Sequence, residues 1–395
     1  MKINKSILAA MLALGIAGIA SADDIYITGS TAMRSTVYTA LNTVNVVFTN
    51  SVTFAGDFAG GAGHPEKDNY MNFTGTIVGN GATVTTIHCH WSGSEAGVLD
   101  ACSNSVAQTE TFMPASVTGD VTSNTNTLVS GFNVDLGFAD NSQSFSRTKS
   151  PSLTGTQIGI VTFEWVRNNG LWSAGSSSGL TNITDANIQA VLSGGCRLAD
   201  FTGNTNDTSF VYAMGRDNLS GTRVNTYGDS GYGIFTAASQ IEVDNSGNMI
   251  DLTGGGVYKG DYGYSSGGTL AGQMGKNTTG TTDQINGGTG FSVVAYFGIS
   301  DANTALGNAG TAALTYDGVP FSRNAVLSGQ YPFWGYEYVY KGVSITTSGV
   351  AAYNRLKLLA TQNTGVWAGL FDGVKAIHKA DMLAGRGGPT SQPQY

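Results

Sequence analysis

Apolar residues along the chain alternate between runs with the period of a strand and runs with the period of a helix. The first such run, residues 24–27, predicts a strand. The residues after it predict a helix, whose buried face would carry Met33, Val37, Ala40 and Leu41. A short strand that leads directly into a helix is the unit from which α/β sheets are built.

The same order of strand and helix returns along the rest of the chain. Strands are predicted at 83–88, 134–140, 158–166, 210–214 and 291–299. Helices are predicted for 187–192, 350–359 and 366–383 and for the apolar stripe Ala96, Leu99, Cys102 and Val106. Strands that alternate with helices predict a mostly parallel α/β sheet, and ligand sites in such sheets lie beyond the carboxyl ends of strands.

Composition limits the classes of partner. The 395 residues exceed what one hydrophobic core usually serves, which favours two domains. Only 12% of the residues are charged and 56 are Gly, as in exported proteins with many turns, and irregular insertions are predicted at 51–81 and 108–127. The net charge of −8 argues against nucleic acid or an anionic membrane as partner. It does not exclude a small anion held by backbone N–H groups and hydroxyls.

The first residues have the pattern of a secretory signal. Lys2 and Lys5 precede an apolar run at 7–19, and the small residues 20–22 fit a cleavage site, so residues 1–22 are predicted to be removed. The apolar run is too short to span a bilayer comfortably. The sequence therefore predicts a protein exported to the periplasm.

Three cysteines follow the signal. In an oxidising compartment a bridge between Cys89 and Cys102 is one possibility, which leaves Cys196 unpaired. Small buried thiols are an equal alternative, and the spacing does not decide between the two.

Three turns rich in hydroxyl groups stand where predicted strands end. The first is Gly29-Ser30-Thr31-Ala32, the second is Gly93-Ser94-Glu95-Ala96-Gly97, and the third runs from Arg216 to Thr222. A strand that passes through Gly, Ser and Thr into a helix start lines up free N–H groups at the positive end of the helix dipole. Three such turns predict a site for a tetrahedral oxyanion.

The order and chemistry of these turns resemble the periplasmic phosphate-binding proteins of ABC transporters, over most of the chain after the signal. The second turn is similar to that family's Gly-Ser-x-Gly-Gly-Val. Residues 133–140 resemble its Val-Asp-Phe-Gly-x-x-Asp, with Asp140 at the acceptor acid. The most specific match is Arg216-Asp217-Asn218-Leu219-Ser220-Gly221-Thr222 to Arg-x-x-x-Ser-Gly-Thr. Residues 295–297 and 329–333 look like the family's return strand and its Gly-x-Tyr-Pro segment.

The resemblance implies a two-lobed type II periplasmic binding protein fold in the α/β class. Each lobe would be a mixed, mostly parallel sheet flanked by helices, with the ligand in the inter-lobe cleft. Lobe I would comprise residues 23–157 plus 292–395, and lobe II residues 158–291. The implied function is capture of inorganic phosphate, as hydrogen phosphate, or of a similar oxyanion for an ABC permease in the inner membrane. This would be a monomer without enzymatic activity, cofactor or metal.

The same resemblance implies a set of ligand-binding residues, namely Ser30, Thr31, Ala32, Ser94, Asp140, Arg216, Ser220, Gly221 and Thr222. Arg216 would place two N–H groups on phosphate oxygens, while hydroxyls and backbone N–H groups cover the other lone pairs. Asp140 would accept the hydrogen that phosphate still carries near neutral pH and that sulfate lacks, so rejection of sulfate is expected. The chain departs from the family at Asn218, where an acid normally steadies the guanidinium.

Two rival functions stay open, a phosphatase on the same scaffold and a surface protein that has lost transport. The segment 263–267 fits the Gly-x-Ser-x-Gly string of hydrolases, but it lies in a Gly-rich stretch rather than at a strand end. His88 and His90 share one face of a predicted strand without a recognisable third metal ligand. Neither pattern by itself predicts a catalytic or metal site.

Overall fold

The computed structural model describes residues 24–103, 110–120, 128–168, 179–278 and 280–386. Its strands are β1 Ile25–Gly29, β2 Thr53–Gly56, β3 Tyr70–Thr76, β4 Val84–His90, β5 Gly119–Asp120, β6 Leu136–Ala139, β7 Gly155–Arg167, β8 Asn182–Ile183, β9 Cys196–Arg197, β10 Phe210–Met214, β11 Gln240–Ile241, β12 Lys259–Gly260, β13 Ser292–Gly298, β14 Ala312–Ala313, β15 Thr315–Tyr316, β16 Trp334–Lys341 and β17 Ala376–Ile377. Its α-helices are α1 Arg34–Asn42, α2 Ser94–Ala101, α3 Asp185–Ser193, α4 Ala199–Thr202, α5 Gly221–Asp229, α6 Gly267–Gln273, α7 Ile299–Leu306, α8 Arg323–Leu327 and α9 Thr347–Leu356.

One large mixed sheet organises the described part of the chain. Its strand order is β12-β11-β10-β13-β7-β16-β6-β1-β4-β3-β2-β5, with β9, β14 and β17 paired at its sides. Strand β7 joins the two halves of this sheet, because residues 155–162 pair with β16 and residues 163–167 pair with β13. The predicted strand at 158–166 is therefore confirmed, and it is the element that both halves share.

The other strands predicted beside the hydroxyl-rich turns are also confirmed. In one half β1 lies parallel to both β4 and β6, and in the other β10 lies parallel to β13. Parallel strands end at the same edge of a sheet. The first turn, the second turn and Asp140 therefore follow three neighbouring strands, and Arg216 follows β10 in the other half.

The prediction of a mostly parallel sheet is wrong for the sheet as a whole. Antiparallel neighbours outnumber parallel ones among the described strands. One reason is a hairpin in which β3 turns back on β4. The other is β16, a strand that the sequence pattern did not predict, which runs antiparallel to both β6 and β7.

The prediction of a helix over 366–383 is also wrong. This segment holds a 3₁₀ turn at Gly365–Trp367, the short strand β17 and a second 3₁₀ turn at Lys379–Asp381. Gly369 and Gly373 have φ of +75° and +77°, which a right-handed helix does not allow. An Asx turn then leads into β17, because the carboxylate of Asp372 accepts hydrogen bonds from the N–H groups of Val374, Lys375 and Ala376.

The buried apolar core extends through both halves of the sheet. One continuous cluster includes Ile27 of β1, Trp165 of β7 and Val294 of β13. A smaller cluster packs Leu270 of α6 and Ala302 of α7 with residues of β10 and β13. Within the described residues, no helix is both long enough and apolar enough to cross a bilayer.

The cysteines are free thiols, so the bridge between Cys89 and Cys102 does not form in this structure. Cys89 is buried in the main apolar cluster, whereas Cys102 packs beside Tyr340 in a separate one. Burial raises the pKa of the Cys102 thiol to about 11, which keeps it protonated and unreactive. The predicted signal at 1–22 lies outside the described residues, as does part of the predicted insertion at 108–127.

Helix α2 packs on the sheet at backbone contact distance. A Cβ at Gly97 would lie 2.6 Å from the carbonyl oxygen of Phe138 and 2.8 Å from the α-carbon of Gly29. These neighbours are backbone atoms of β6 and β1, so they cannot move aside without distorting the sheet.

Gly97→Ala is therefore expected to lower the free energy of unfolding by about 1–3 kcal/mol, the usual cost of overpacking. Urea unfolding of the variant measures the loss. Gly272→Ala is the matched control, because a Cβ at this position of α6 meets nothing within 4 Å. Equal stability of the two variants would contradict the close packing of α2.

Candidate functional site

The first turn begins where β1 leaves the sheet. Gly29 has φ of +126°, and a Cβ there would lie 2.0 Å from the carbonyl oxygen of Phe138, so glycine is required. The Ser30 N–H donates to that carbonyl at 2.9 Å, and Ser30 Oγ donates to Oε2 of Glu337 at 3.0 Å. Ser30 is thus held by the protein itself, and Thr31 and Ala32 follow it, half-buried.

The second turn is bonded to the third turn and to the end of β6. The Glu95 N–H donates to the carbonyl oxygen of Leu219 at 3.0 Å. Ser94 Oγ donates to Oδ1 of Asp140 at 2.7 Å, and the Asp140 N–H donates to Ser94 Oγ at 3.2 Å. The hydroxyl that the sequence assigned to a ligand is therefore bonded to Asp140.

The third turn starts helix α5 against the same carboxyl group. Ser220 caps this helix, because its Oγ accepts the N–H of Arg223 at 3.3 Å. A Cβ at Gly221 would lie 1.5 Å from Asp140 Oδ1 and 2.4 Å from Ser94 Oγ. Four predicted site residues, namely Ser94, Asp140, Ser220 and Gly221, thus lie together and buried at the N-terminus of α5. The positive end of the helix dipole favours negative charge at this place.

Two buried carboxyl groups lie at this cluster with altered acidity. Burial raises the pKa of Asp140 to about 6, against the opposing effects of the Ser94 hydrogen bond and the charge of Arg216. Burial also raises the pKa of Glu337 well above its usual range, and the negative charge of Asp140 raises it further. The pair therefore carries less negative charge near neutral pH than two exposed carboxylates would.

Arg216 is buried, and its donors are used differently from the expectation. Its Nε donates to the carbonyl oxygen of Tyr264 at 3.1 Å and its Nη2 to that of Ser265 at 2.9 Å. The guanidinium thus fastens the 263–266 loop to the end of β10 in this structure. Its Nη1 lies beside Asp301, since a Cβ at Gly267 would be 3.2 Å from Nη1 and 1.9 Å from Asp301 Oδ2.

Asp301 supplies a negative charge near the Arg216 guanidinium, where the sequence has Asn218 in place of the family's acid. It lies in the first turn of helix α7, directly after β13. Burial raises the pKa of Asp301, while the nearby charges of Arg216 and Arg34 lower it. Asp217, the alternative acid beside Arg216, is engaged in a local turn, because its Oδ1 accepts the N–H of Leu219 at 3.0 Å.

A narrow cavity of about 40 Å³ lies between the first and third turns. Thr31, Ala32 and Thr222 are the predicted site residues that line it. The cavity therefore admits groups at least as large as a water molecule.

Sequence reasoning missed several residues that line the same cavity, which are Arg34, Ser35, Lys67, Ser300, Asp301 and Lys375. One signal was available for some of them, a helix start directly after a strand. Arg34 begins the helix after the first turn, and Ser300 and Asp301 lie in the first turn of the helix after β13. Lys67 and Lys375 come from a 3₁₀ turn and a loop, and no sequence pattern marks them.

Arg34 brings a half-buried positive charge to this cavity. Its Nη1 donates to Oδ1 of Asn69 at 2.7 Å, which fixes the direction of the guanidinium. Burial lowers the pKa of Arg34, whereas the negative charges of Asp301 and Asp57 raise it. A half-buried arginine favours an anion as neighbour.

The weaker sequence signals have structural roles. His88 stacks on Tyr26, and its Nδ1 lies 2.9 Å from Oδ1 of Asn72. His90 pairs with the buried carboxylate of Glu110. In the described part of the chain, no three His, Cys, Asp or Glu residues come together as a metal site.

No family model matches the sequence, and no curated protein matches it. The structure is similar to several solved structures. A protein assigned as a phosphate ABC transporter substrate-binding protein from Clostridium perfringens, with bound phosphate, has a TM-score of 0.48 at 13% identity over 90% of this chain and 99% of its own. An ABC-type phosphate transport receptor from Vibrio cholerae has a TM-score of 0.44 at 11% identity over 89% of this chain and 99% of its own. PstS from Borrelia burgdorferi has a TM-score of 0.40 at 11% identity over 90% of this chain and 98% of its own.

The raised pKa of Asp140 predicts a pH-dependent stability. The folded state binds this proton more tightly than the unfolded state, so stability is greatest below the ordinary pKa of 3.8 and falls as the pH rises through about 6. Asp140→Asn removes that loss. The difference in unfolding free energy between variant and wild type should shift in favour of the variant by about 3 kcal/mol from about pH 3.5 to about pH 7.5. The figure follows from the pKa shift of Asp140 at about 1.4 kcal/mol per pKa unit. Urea unfolding at both pH values measures the gain, and a constant difference would contradict the burial of this charge.

Proposed function

We propose that this chain is an extracytoplasmic solute-binding protein that captures a phosphate group, with inorganic phosphate as the simplest ligand, for import by an ABC permease. The observation that carries the proposal is the narrow cavity to which the first turn contributes Thr31 and Ala32 and the third contributes Thr222. Hydroxyls and backbone N–H groups at two helix starts are suited to a tetrahedral oxyanion.

The charges around the cavity support an anion rather than a neutral solute. Arg34, Lys67 and Lys375 bring three cations to it, against the carboxylates of Glu66 and Asp301. The three cations outnumber these two carboxyl groups, and burial raises the pKa of Asp301. A partly protonated oxyanion suits a site that combines cations with a carboxyl group, since one side of the ligand accepts hydrogen bonds and another donates one.

In this proposal Asp301, which lines the cavity directly, is the acceptor. Asp140, beside Gly221 at the start of α5, would support the site without contact to the ligand. Hydrogen phosphate has a hydrogen for such an acceptor, whereas sulfate leaves the carboxylate unpaired beside an anion, at a cost of about 1–3 kcal/mol or more. The remaining predicted residues, including Ser30, Ser94, Ser220 and Arg216, would support the cavity from behind.

The two-lobed arrangement is part of the proposal. The lobes would be residues 23–157 plus 292–395 and residues 158–291. Strand β7 crosses this boundary, and β13, which pairs with β10, would lie with the second lobe. Closure of the lobes around the ligand would be the signal that a permease in the inner membrane recognises. The proposed protein is a periplasmic monomer that performs no chemistry on its ligand.

Thr222→Val tests the cavity, because it removes a hydroxyl at nearly constant volume. We expect the affinity for inorganic phosphate to fall by about tenfold to a hundredfold, as for a lost hydrogen bond to a charged group. Isothermal titration calorimetry of the protein from Asp23 onward measures the loss. Thr226→Val is the matched control, because its hydroxyl bonds to the carbonyl oxygen of Thr222 one turn further along α5. No phosphate binding by the wild type would refute the proposed function.

Asp301→Asn tests the selection against sulfate. The wild type should prefer phosphate to sulfate by about tenfold or more, and the amide should narrow this preference because it donates a hydrogen bond to either anion. Asp140→Asn should reduce the preference for phosphate over sulfate by a smaller factor, because Asp140 does not line the cavity. Titration of each protein with both anions gives the two ratios. Equal affinity of the wild type for phosphate and sulfate would remove Asp301 from the acceptor role.

A further inference from the structure

The narrow cavity continues into a much larger one. The second cavity has a volume of about 440 Å³ and shares with the first the residues Thr31, Arg34, Lys67, Ser300 and Asp301. Pockets for organic ligands usually measure about 300–1,000 Å³, so this outer cavity has the size for an organic group. An inorganic phosphate ion would fill only the inner part.

The walls of the outer cavity are hydrophilic. Beyond the shared residues they present the Asn69 amide and the hydroxyls of Ser266, Thr269 and Thr304. The rest of its lining is small, with Gly60, Gly267 and Gly268 among it. None of these lining residues is aromatic, so the cavity offers hydrogen bonds but no surface on which a base or an aromatic ring would stack.

The cations stand where the two cavities join. Arg34 and Lys67 line both of them, and the Asn69 amide oxygen that orients Arg34 belongs to a residue of the outer wall. A ligand with one anionic end and one neutral, hydroxyl-rich end matches this order of walls. Its anionic end would lie at the junction and in the narrow cavity, and its hydroxyls would face the outer walls.

We propose that the preferred ligand is a phosphomonoester of a small polyol or sugar. Its phosphate would take the narrow cavity, and its carbon skeleton would take the outer cavity with hydrogen bonds to Asn69, Ser266 and Thr269. This inference rests on the proposed function for the phosphate group and adds the chemical class of the rest of the ligand.

Isothermal titration calorimetry with inorganic phosphate, glycerol 3-phosphate and glucose 6-phosphate tests the inference on the protein from Asp23 onward. We expect at least one of the two esters to bind tenfold or more tightly than inorganic phosphate. If phosphate binds and both esters bind equally or more weakly, the inference is overturned and the proposed function stands. If none of the three binds, both fail.

A variant whose outer cavity is partly filled by a larger side chain tests the same assignment through its affinity for the esters. Gly268→Leu adds a side chain where a Cβ would be 4.0 Å from its nearest neighbours, so helix α6 accommodates it while the cavity loses volume. The variant should lose ester affinity by tenfold or more and keep its affinity for inorganic phosphate within twofold. Gly272→Leu lies on the same helix away from the cavity, meets nothing within 4 Å, and should change neither. Unchanged ester affinity in Gly268→Leu would overturn the assignment of the outer cavity.

Discussion

The contact between Gly221 and the carboxyl group of Asp140 is the constraint on which the candidate site depends. A Cβ at Gly221 would overlap the Asp140 carboxyl group and the Ser94 hydroxyl, so any other residue there would displace these buried side chains. This contact brings the end of β6, the start of α2 and the start of α5 to one point. It also removes water from Asp140, and loss of hydration is what raises the pKa of that group. The close approach of Gly221 to Asp140 thus accounts both for the packing of α5 against β6 and for the raised pKa of Asp140.

The site is built in layers, and this explains why its predicted members have different roles. The buried layer consists of side chains that bond to one another, such as Ser94 with Asp140 and Ser30 with Glu337. Residues that line the cavity follow two members of this layer by one or two positions, since Thr31 and Ala32 follow Ser30 and Thr222 follows Ser220. A buried polar layer of this kind orients the turns, so that the outer layer meets a ligand already in position.

The sequence predicted the strands that end at the site because short β-rich runs followed by helical periodicity are local signals. It did not predict β16, whose pairing with β6 and β7 depends on residues about 170–205 positions away. The helix predicted over 366–383 failed because Asp372 bonds the backbone into a turn and two glycines adopt positive φ. The hydroxyl-rich turns were visible as motifs, whereas Lys67 and Lys375 reach the cavity only through tertiary folding. The sequence also did not show which hydroxyls bond to other protein groups, as those of Ser30 and Ser94 do, because these bonds join segments that are distant in the sequence.

The proposed function depends above all on an oxyanion held between the first and third turns. A crystal structure of the protein grown with inorganic phosphate would show whether it binds there. We expect one phosphate in the narrow cavity, within hydrogen-bonding distance of Thr31 or the Ala32 N–H on one side and of Thr222 or Ser300 on the other. A cavity that stays empty of phosphate at saturating concentration, or a phosphate bound only elsewhere on the surface, would contradict it.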